Sequence, residues 1–288
     1  MSSLKEIKSR IQSVKSTQKI TSAMKMVSSA KLRKAQRTIE NFFPYEQKLT
    51  GLLNNFLSAE DNASSVFSEV REVKRVAVVV FSSNSSLCGA FNTNVSKQLT
   101  LTLEKYQKLG REHILIFPVG KKIAKACRKH GFEPEGNFEG MADKPSYNAT
   151  LELSDQLIQL FRDKHIDKVE IIYHHFISKS NQKLTTETFL PIQLTKAAKG
   201  TVAHDYIVEP ERPTLMNELI PKVLRLKVYT ALLDSCASEH AARTIAMQTA
   251  TDNATDLLQE LSLQYNKSRQ QAITNELLDI IGGSFGQN

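Results

Sequence analysis

Apolar positions recur at steps of three and four over both ends of the chain, and cluster into short continuous runs between them. From residue 226 the steps continue unbroken through Leu226, Tyr229, Leu233, Cys236, His240, Arg243, Met247, Ala250, Ala254, Leu257, Leu261, Gln264 and Ser268. All but His240, Arg243 and Gln264 are apolar, aromatic or small, which is the seam of a coiled coil with polar interruptions. A single helix with one apolar stripe is marginal in water and needs a second stripe to cover it. The first segment offers one in Leu4, Ile7, Ile11 and Val14, continued by Ile20, Met24, Val27 and Ala30. The pattern predicts helices over residues 4 to 57 and 214 to 282 that pair antiparallel as a rod on a globular domain.

Between the helices, RVAVVVF (75–81) is a β-branched run suited to a strand buried on both faces. A Ser/Gly-rich turn, SSNSSLCGAFN, leads to a helix over 92–109. A second strand, HILIFPVG (113–120), precedes the basic helix KKIAKACRKHG, which Gly131 closes. Residues 132–148 read as irregular. A helix over 151–164 then leads to a third strand, KVEIIYHHF (168–176), with a hairpin return through ISKSNQKLTTETFLPIQ. Pro44 marks a break or kink in the first helix, and Ser58 to Ser68 reads as a loop. The expected fold is α/β: a long antiparallel coiled coil of the N- and C-terminal helices plus a small, mostly parallel, Rossmann-like domain. The expected boundaries are 1–57 and 211–285 for the coiled-coil helices and 73–195 for the α/β domain.

Composition narrows the class. At 288 residues and 41% hydrophobic content the chain is an ordinary globular protein. Its longest strongly apolar run, Val76 to Phe81, is far short of the ~20 residues that cross a bilayer. The start, MSSLKEIKSR, is a charged amphipathic helix with neither a secretory core nor a transit segment before it, so function is expected to begin with the first helix. Cys88, Cys127 and Cys236 lack metal-ligand spacing and fit buried thiols of a reducing, cytoplasmic compartment.

Charge changes the picture more. The chain carries a net +8, and residues 1–40 alone hold ten Lys and Arg against Glu6 and Glu40, so the remainder sums to zero. The whole excess lies on one helix, which suits an acidic protein surface, nucleic acid or an anionic membrane. Aromatic side chains interleaved with the cations, which would stack on bases, are missing there, so a nucleic-acid-binding protein with a basic coiled-coil arm is the alternative reading.

Catalytic chemistry finds little support. The turn after the first strand has neither G-x-G-x-x-G nor G-x-x-x-x-G-K-[ST] spacing, and reads as a tight packing turn. His174 and His175 are adjacent on a strand, so they face opposite sides and do not chelate one ion. No catalytic residue, cofactor or metal is expected. The stretch from Ala237 to Asp256, rich in Ala, Thr and Ser, reads either as close helix packing or as a narrow shaft fitted inside a collar.

Four blocks carry a resemblance: KITSAMKMVSSAKLRKAQ (19–36), SSLCGAFN (85–92), SEHAARTIAMQTATDNATDL (238–257) and LQYNKSRQQAITNELLDIIGG (263–283). They resemble the gamma subunit of F-type ATP synthases, over the whole chain. Two departures stand out: Asn84-Ser85-Ser86 replaces the usual Asp-Arg-Gly, and Gly283-Ser284 replaces Gly-Ala. The paired cysteines of the chloroplast members are absent, which favours a bacterial type. The resemblance implies a non-catalytic rotor at the centre of an alpha/beta hexamer whose beta subunits carry the catalytic sites. It implies coupling of proton flow to ATP synthesis and hydrolysis, and regulation of ATPase activity. The implied partners are the alpha, beta and epsilon subunits and the c-ring. Nucleic acid is excluded, and membrane association is indirect, at the cytoplasmic face of a bacterial plasma membrane. Carried over by motif, Met24, Lys25 and Arg243 lie in the coupling region and Gln270, Thr274 and Glu276 towards the C-terminal tip.

Overall fold

The computed structural model describes residues 4–58, 66–192, 209 and 211–285. Of the expected elements, most of the loop over 58–68 and residues 193–195 of the α/β domain lie outside them. In chain order the elements are α1 (Leu4–Ser58), β1 (Val76–Phe81), α2 (Phe91–Lys105), β2 (Ile114–Val119), α3 (Lys121–Lys129), α4 (Glu139–Asp143), α5 (Tyr147–Arg162), β3 (Lys168–Phe176), β4 (Gln182–Leu190) and α6 (Arg212–Phe285). They form two compact units, one from Met1–Ser28 with Thr244–Asn288 and one from Ser29–Arg243.

The larger unit is built on a four-stranded sheet in the order β2-β1-β3-β4. β1 runs parallel to both β2 and β3, and β4 returns antiparallel on β3. β1 is buried at every position, as its unbroken Val/Ala/Phe run requires. Its alternate side chains feed two cores. Ala77, Val79 and Phe81 face Leu153, Leu157 and Phe161 of α5 with Leu224 and Val228 of α6, whereas Val76, Val78 and Val80 face Val95 and Leu99 of α2 with Ile123 and Cys127 of α3. Helices therefore cover both faces, the arrangement a parallel sheet needs to keep its apolar surface from water. All three cysteines are free and buried.

Boundaries differ from the expectations in four places. α1 runs through Pro44 without interruption. Pro44 is exposed, so the carbonyl its missing N–H would have served is open to water. The 132–148 stretch is not wholly irregular. It holds the one-turn helix α4, and Ser146 caps α5 by accepting from the Ala149 amide at 3.2 Å, so α5 starts at Tyr147. α2 ends at Lys105, and a 3-10 turn covers Gln107–Leu109. Gly131 does close α3, with φ of 78° and Phe132 donating back to the Cys127 carbonyl at 3.0 Å.

The smaller unit pairs the start of α1 with the end of α6. Gln18 meets Thr255, Thr21 meets Thr251 and Lys25 meets Gln248, so numbers rise on one helix as they fall on the other. The pairing is antiparallel, as expected. The seam on α6 is buried at Met247, Ala254 and Leu261, while Gln264 is exposed and Tyr265 is half-buried instead. On α1 the expected stripe holds through Val14 and, beyond it, only at half-buried Met24. Ile20 is 60% exposed, Val27 57%, and Ala30 is also exposed. The buried line instead continues through Gln18, Thr21, Lys25 and Ser28, in the same three-four rhythm set by Leu4, Ile7, Ile11 and Val14. Geometry preserved the register where hydrophobicity abandoned it, because hydrogen bonds across the seam satisfy the buried polar groups.

Candidate functional site

Two clusters bring together residues singled out from the sequence. The first lies in the larger unit, where the loop after β1 meets the seam of α6. Left-handed backbone at Leu87 (φ 69°) and Gly89 (φ 59°) turns the chain sharply into α2. Ser83 Oγ donates to the Ser85 carbonyl at 2.7 Å, and Asn92 Nδ2 donates to Ser83 Oγ at 2.8 Å, so the loop is tied to the first turn of α2. Asn84 ties it to two further helices. Its amide nitrogen donates to Asp143 Oδ2 at 2.7 Å and to the Glu139 carbonyl at 2.9 Å, and its oxygen accepts from the Lys121 amide at 2.8 Å.

The amides opening α3 are therefore occupied from within. Lys121 N meets Asn84 Oδ1, Lys122 N meets the Ser83 carbonyl at 3.2 Å, and Ile123 N meets Ser82 Oγ at 3.1 Å. These are the donors with which a helix start would hold a phosphate. At Gly120, a Cβ would stand 2.5 Å from the Ser82 carbonyl oxygen, and φ is 109°, so only glycine permits this close approach of backbones. The loop is built as a packing turn.

Arg243 of α6 reaches this loop. Its Nε and Nη2 donate to Glu239 Oε1 at 3.2 and 2.6 Å, Nη2 also donates to Ser85 Oγ at 2.8 Å, and Nη1 donates to the Ser86 carbonyl. The Arg243 and Glu239 side chains are 9% and 10% exposed. Ser85 and Ser86 are thus the residues on which Arg243 lands. Sequence reading missed Glu239, although its place one turn before Arg243 is the spacing of a helical ion pair.

The second cluster lies in the smaller unit. Lys25, half-buried, donates from Nζ to Gln248 Oε1 at 2.9 Å, and Gln248 Nε2 donates in turn to Asp252 at 2.7 and 2.9 Å. Gln18 Nε2 donates to Thr255 Oγ1 at 2.8 Å, and the Thr21 and Thr251 hydroxyls meet at 2.9 Å. Met24 is half-buried beside these rungs. Thr249 lies off the seam and is exposed, whereas Thr255, exposed too, bonds across it to Gln18.

Towards the end of α6, Gln270, Thr274 and Glu276 are all exposed. Thr274 Oγ1 donates to the Gln270 carbonyl at 2.9 Å, which places these two on one face. Glu276, two residues on, points to the other side of the helix. Apolar Ile273, Leu277 and Ile280 are exposed among them. Among the described residues no helix is long and apolar enough to cross a membrane, and no group of three or more His, Cys, Asp or Glu could hold a metal ion.

His174 and His175 do face opposite ways. His174 is buried and stacks on Phe91 with ring centroids 4.5 Å apart, while His175 Nδ1 meets Asp234 Oδ2 of α6 at 2.5 Å. Burial pushes the Asp234 carboxyl up, against the opposing hydrogen bond from His175. Elsewhere in the sheet, buried Glu170 gathers Lys105 and Lys168 at 2.8 Å and the Tyr106 hydroxyl at 2.6 Å. Burial alone would raise the Glu170 carboxyl, but these donors together hold it below its ordinary value.

The sequence profile of the ATP synthase family matches residues 3–285. ATP synthase gamma chains of Phocaeicola vulgatus and Bacteroides thetaiotaomicron are 59% and 57% identical, each over 99% of this chain and 100% of the relative. That of Cytophaga hutchinsonii is 44% identical over the full length of both. Among solved structures, a chain of the Euglena gracilis mitochondrial ATP synthase (OSCP/F1/c-ring, rotational state 3) superposes with a TM-score of 0.64 at 21% identity, covering 98% of this chain and 94% of its own. A chain of the Tetrahymena thermophila mitochondrial central stalk and c-ring gives 0.59 at 22% identity, over 80% and 99%. At these identities the structural likeness speaks for the fold.

Proposed function

The chain belongs to the ATP synthase gamma-chain family, and from that premise we propose that it is the central-stalk rotor subunit of an F-type ATP synthase. It couples proton flow through the membrane sector to ATP synthesis and hydrolysis, and it regulates ATPase activity. The catalytic sites belong to the beta subunits; this chain turns among the alpha and beta subunits and meets epsilon and the c-ring. Its place is peripheral, at the cytoplasmic face of the membrane, held there through the membrane sector. Residues 1–57 and 211–285 form the shaft, and residues 73–195 form the domain that meets epsilon and the c-ring. Met24, Lys25 and Arg243 belong to the coupling region, and Gln270, Thr274 and Glu276 to the part of the shaft nearest its tip.

The observation that carries this reading is the antiparallel pairing of Gln18, Thr21 and Lys25 with Thr255, Thr251 and Gln248. It makes one stiff element of the two chain ends, and such an element can present different sides to surrounding subunits as it turns. Turning then drives each catalytic site through states of different affinity, a mechanically imposed population shift. The ten cations of residues 1–40 give the first helix a complement in acidic protein surface.

Reconstitution tests it. Added to the alpha and beta subunits, the purified chain is expected to yield a complex with ATPase activity, and with the remaining subunits in vesicles to support proton-driven ATP synthesis. A chain that stays apart from these subunits and instead copurifies with RNA, in a salt-sensitive manner, would overturn the proposal.

A further inference from the structure

Arg243 is assigned to the coupling region by motif, and a guanidinium that touched a neighbouring subunit would need free donors and an uncompensated charge. Arg243 keeps only one donor on Nη1 beyond its partners within the chain, and no uncompensated charge. Of its five N–H donors, Nε and both on Nη2 go to Glu239 and Ser85, and one on Nη1 goes to the Ser86 carbonyl. Its charge is matched one turn earlier by Glu239, and both side chains are about nine-tenths buried.

We infer that Arg243, Glu239 and the loop Asn84–Ser86 form an internal strut fastening α6 to the sheet, so that Arg243 acts on coupling as a positioning residue within this chain and not by contact with a partner subunit. The inference deepens the rotor reading and rests on it.

Ser85 and Ser86, which receive Arg243, and their neighbour Asn84 are each braced from the far side of the loop. Ser86 Oγ accepts from Lys122 Nζ of α3 at 2.6 Å, the Ser85 carbonyl accepts from Ser83 Oγ, and Asn84 joins α3 to Asp143 at the end of α4. A load on α6 at Arg243 therefore passes through a planar, bidentate fork into the start of α2 and α3. A flexible ammonium would not hold that geometry. Removing either member of a buried ion pair leaves the other without its partner, so Glu239 is expected to matter as much as Arg243. A partner-contact role for Arg243 predicts the opposite.

The experiment uses Glu239→Gln, Arg243→Gln, their double variant, Arg243→Lys, and Ser85→Ala, which removes a single bond and keeps the fold safe. Two readouts are taken. In the free full-length chain, Glu239→Gln and Arg243→Gln are each expected to lower the melting midpoint by several degrees, with the double variant no worse than either. Ser85→Ala is expected to give a smaller shift in the same direction. In the reconstituted complex, the ratio of proton-driven synthesis to ATP hydrolysis is expected to fall by one common factor for Glu239→Gln, Arg243→Gln, the double variant and Arg243→Lys. Poor assembly alone would lower both activities together and leave that ratio unchanged. Additive losses, a silent Glu239→Gln, or an Arg243→Lys chain that couples like the parent would each overturn the strut. Failure of the rotor reading is distinct, because then the parent chain itself would restore no activity to the alpha and beta subunits.

Discussion

At the scale of single residues, most buried polar groups among the described residues are matched, and His174 Nδ1 is one that is buried without a hydrogen-bond partner. His174 is 3% exposed and stacked on Phe91, and burial pushes its imidazole down to about 4 from 6.5. The native state therefore holds it neutral where the unfolded chain would protonate it. Between pH 6.5 and 4 the unfolded state binds more protons, so stability falls as pH drops through that window, by about 3 kcal/mol for this group. His174→Phe keeps an aromatic ring against Phe91 and removes the titration. Urea unfolding at pH 7 and pH 4.5 is expected to show the variant losing about 2 kcal/mol less than the parent over that interval, a figure set by the part of the window sampled. An equal loss in both would mean that His174 is protonated in the folded state. Glu170 works on the acid side of the same scale. Its carboxyl is held low by Lys105, Lys168 and Tyr106, so its contribution is complete above the ordinary carboxylate range and lost only as pH falls through its lowered value.

At the scale of elements, the sequence showed most clearly what hydrophobicity alone dictates. β1 and β2 were legible within a residue because a parallel strand buried on both faces is apolar almost throughout, and β3 was legible from its Val169, Ile171 and Ile172 despite Glu170 and the two histidines. α4 was not legible, since a five-residue helix has too few positions to show a period and is held by its surroundings. The α1 seam was legible to Val14 and then misread. Beyond that point the seam is polar, and the apolar side chains of Ile20 and Val27 point away from α6. Period without hydrophobicity was the remaining clue: 4, 7, 11, 14, 18, 21, 25, 28 is an unbroken heptad pattern. Of the clamp on Arg243 only Glu239 was within reach of sequence, because Ser85 and Ser86 lie more than 150 residues away. This assignment of faces is testable in the free chain. Leu261→Asp puts an unpaired carboxylate at a seam position that is 3% exposed, and is expected to cost about 3–5 kcal/mol. Ile20→Gln is expected to change stability by less than about 0.5 kcal/mol, as exposed substitutions do. Chemical unfolding followed by circular dichroism compares the two, and equal losses would mean that Ile20 lies in the seam after all.

At the scale of the whole molecule, the question is what the exposed side of the shaft meets in the assembled synthase. Between Ala237 and Asp256 the residues of α6 are mostly Ala, Thr and Ser, whereas a helix face open to water more often carries Glu and Lys. A narrow surface has a reason to persist where something closes around it. Thr249 is the position that separates stability from fit. It is exposed and lies off the line of Met247, Ala250 and Ala254, while Thr255, exposed too, is joined to Gln18 across the seam and would confound the result. Thr249→Trp is expected to leave the melting of the free chain within a degree or two of the parent, because no buried contact is lost. In reconstituted vesicles the same substitution is expected to lower proton-driven ATP synthesis several-fold, since the added ring must enter whatever space surrounds the turning helix. Thr249→Ser, which adds no bulk, is expected to synthesise ATP like the parent, so a loss confined to the tryptophan variant is steric in origin. If the Trp variant turns over at the parent rate, this face of the shaft is open, and its small side chains answer only to the packing of α6 against α1.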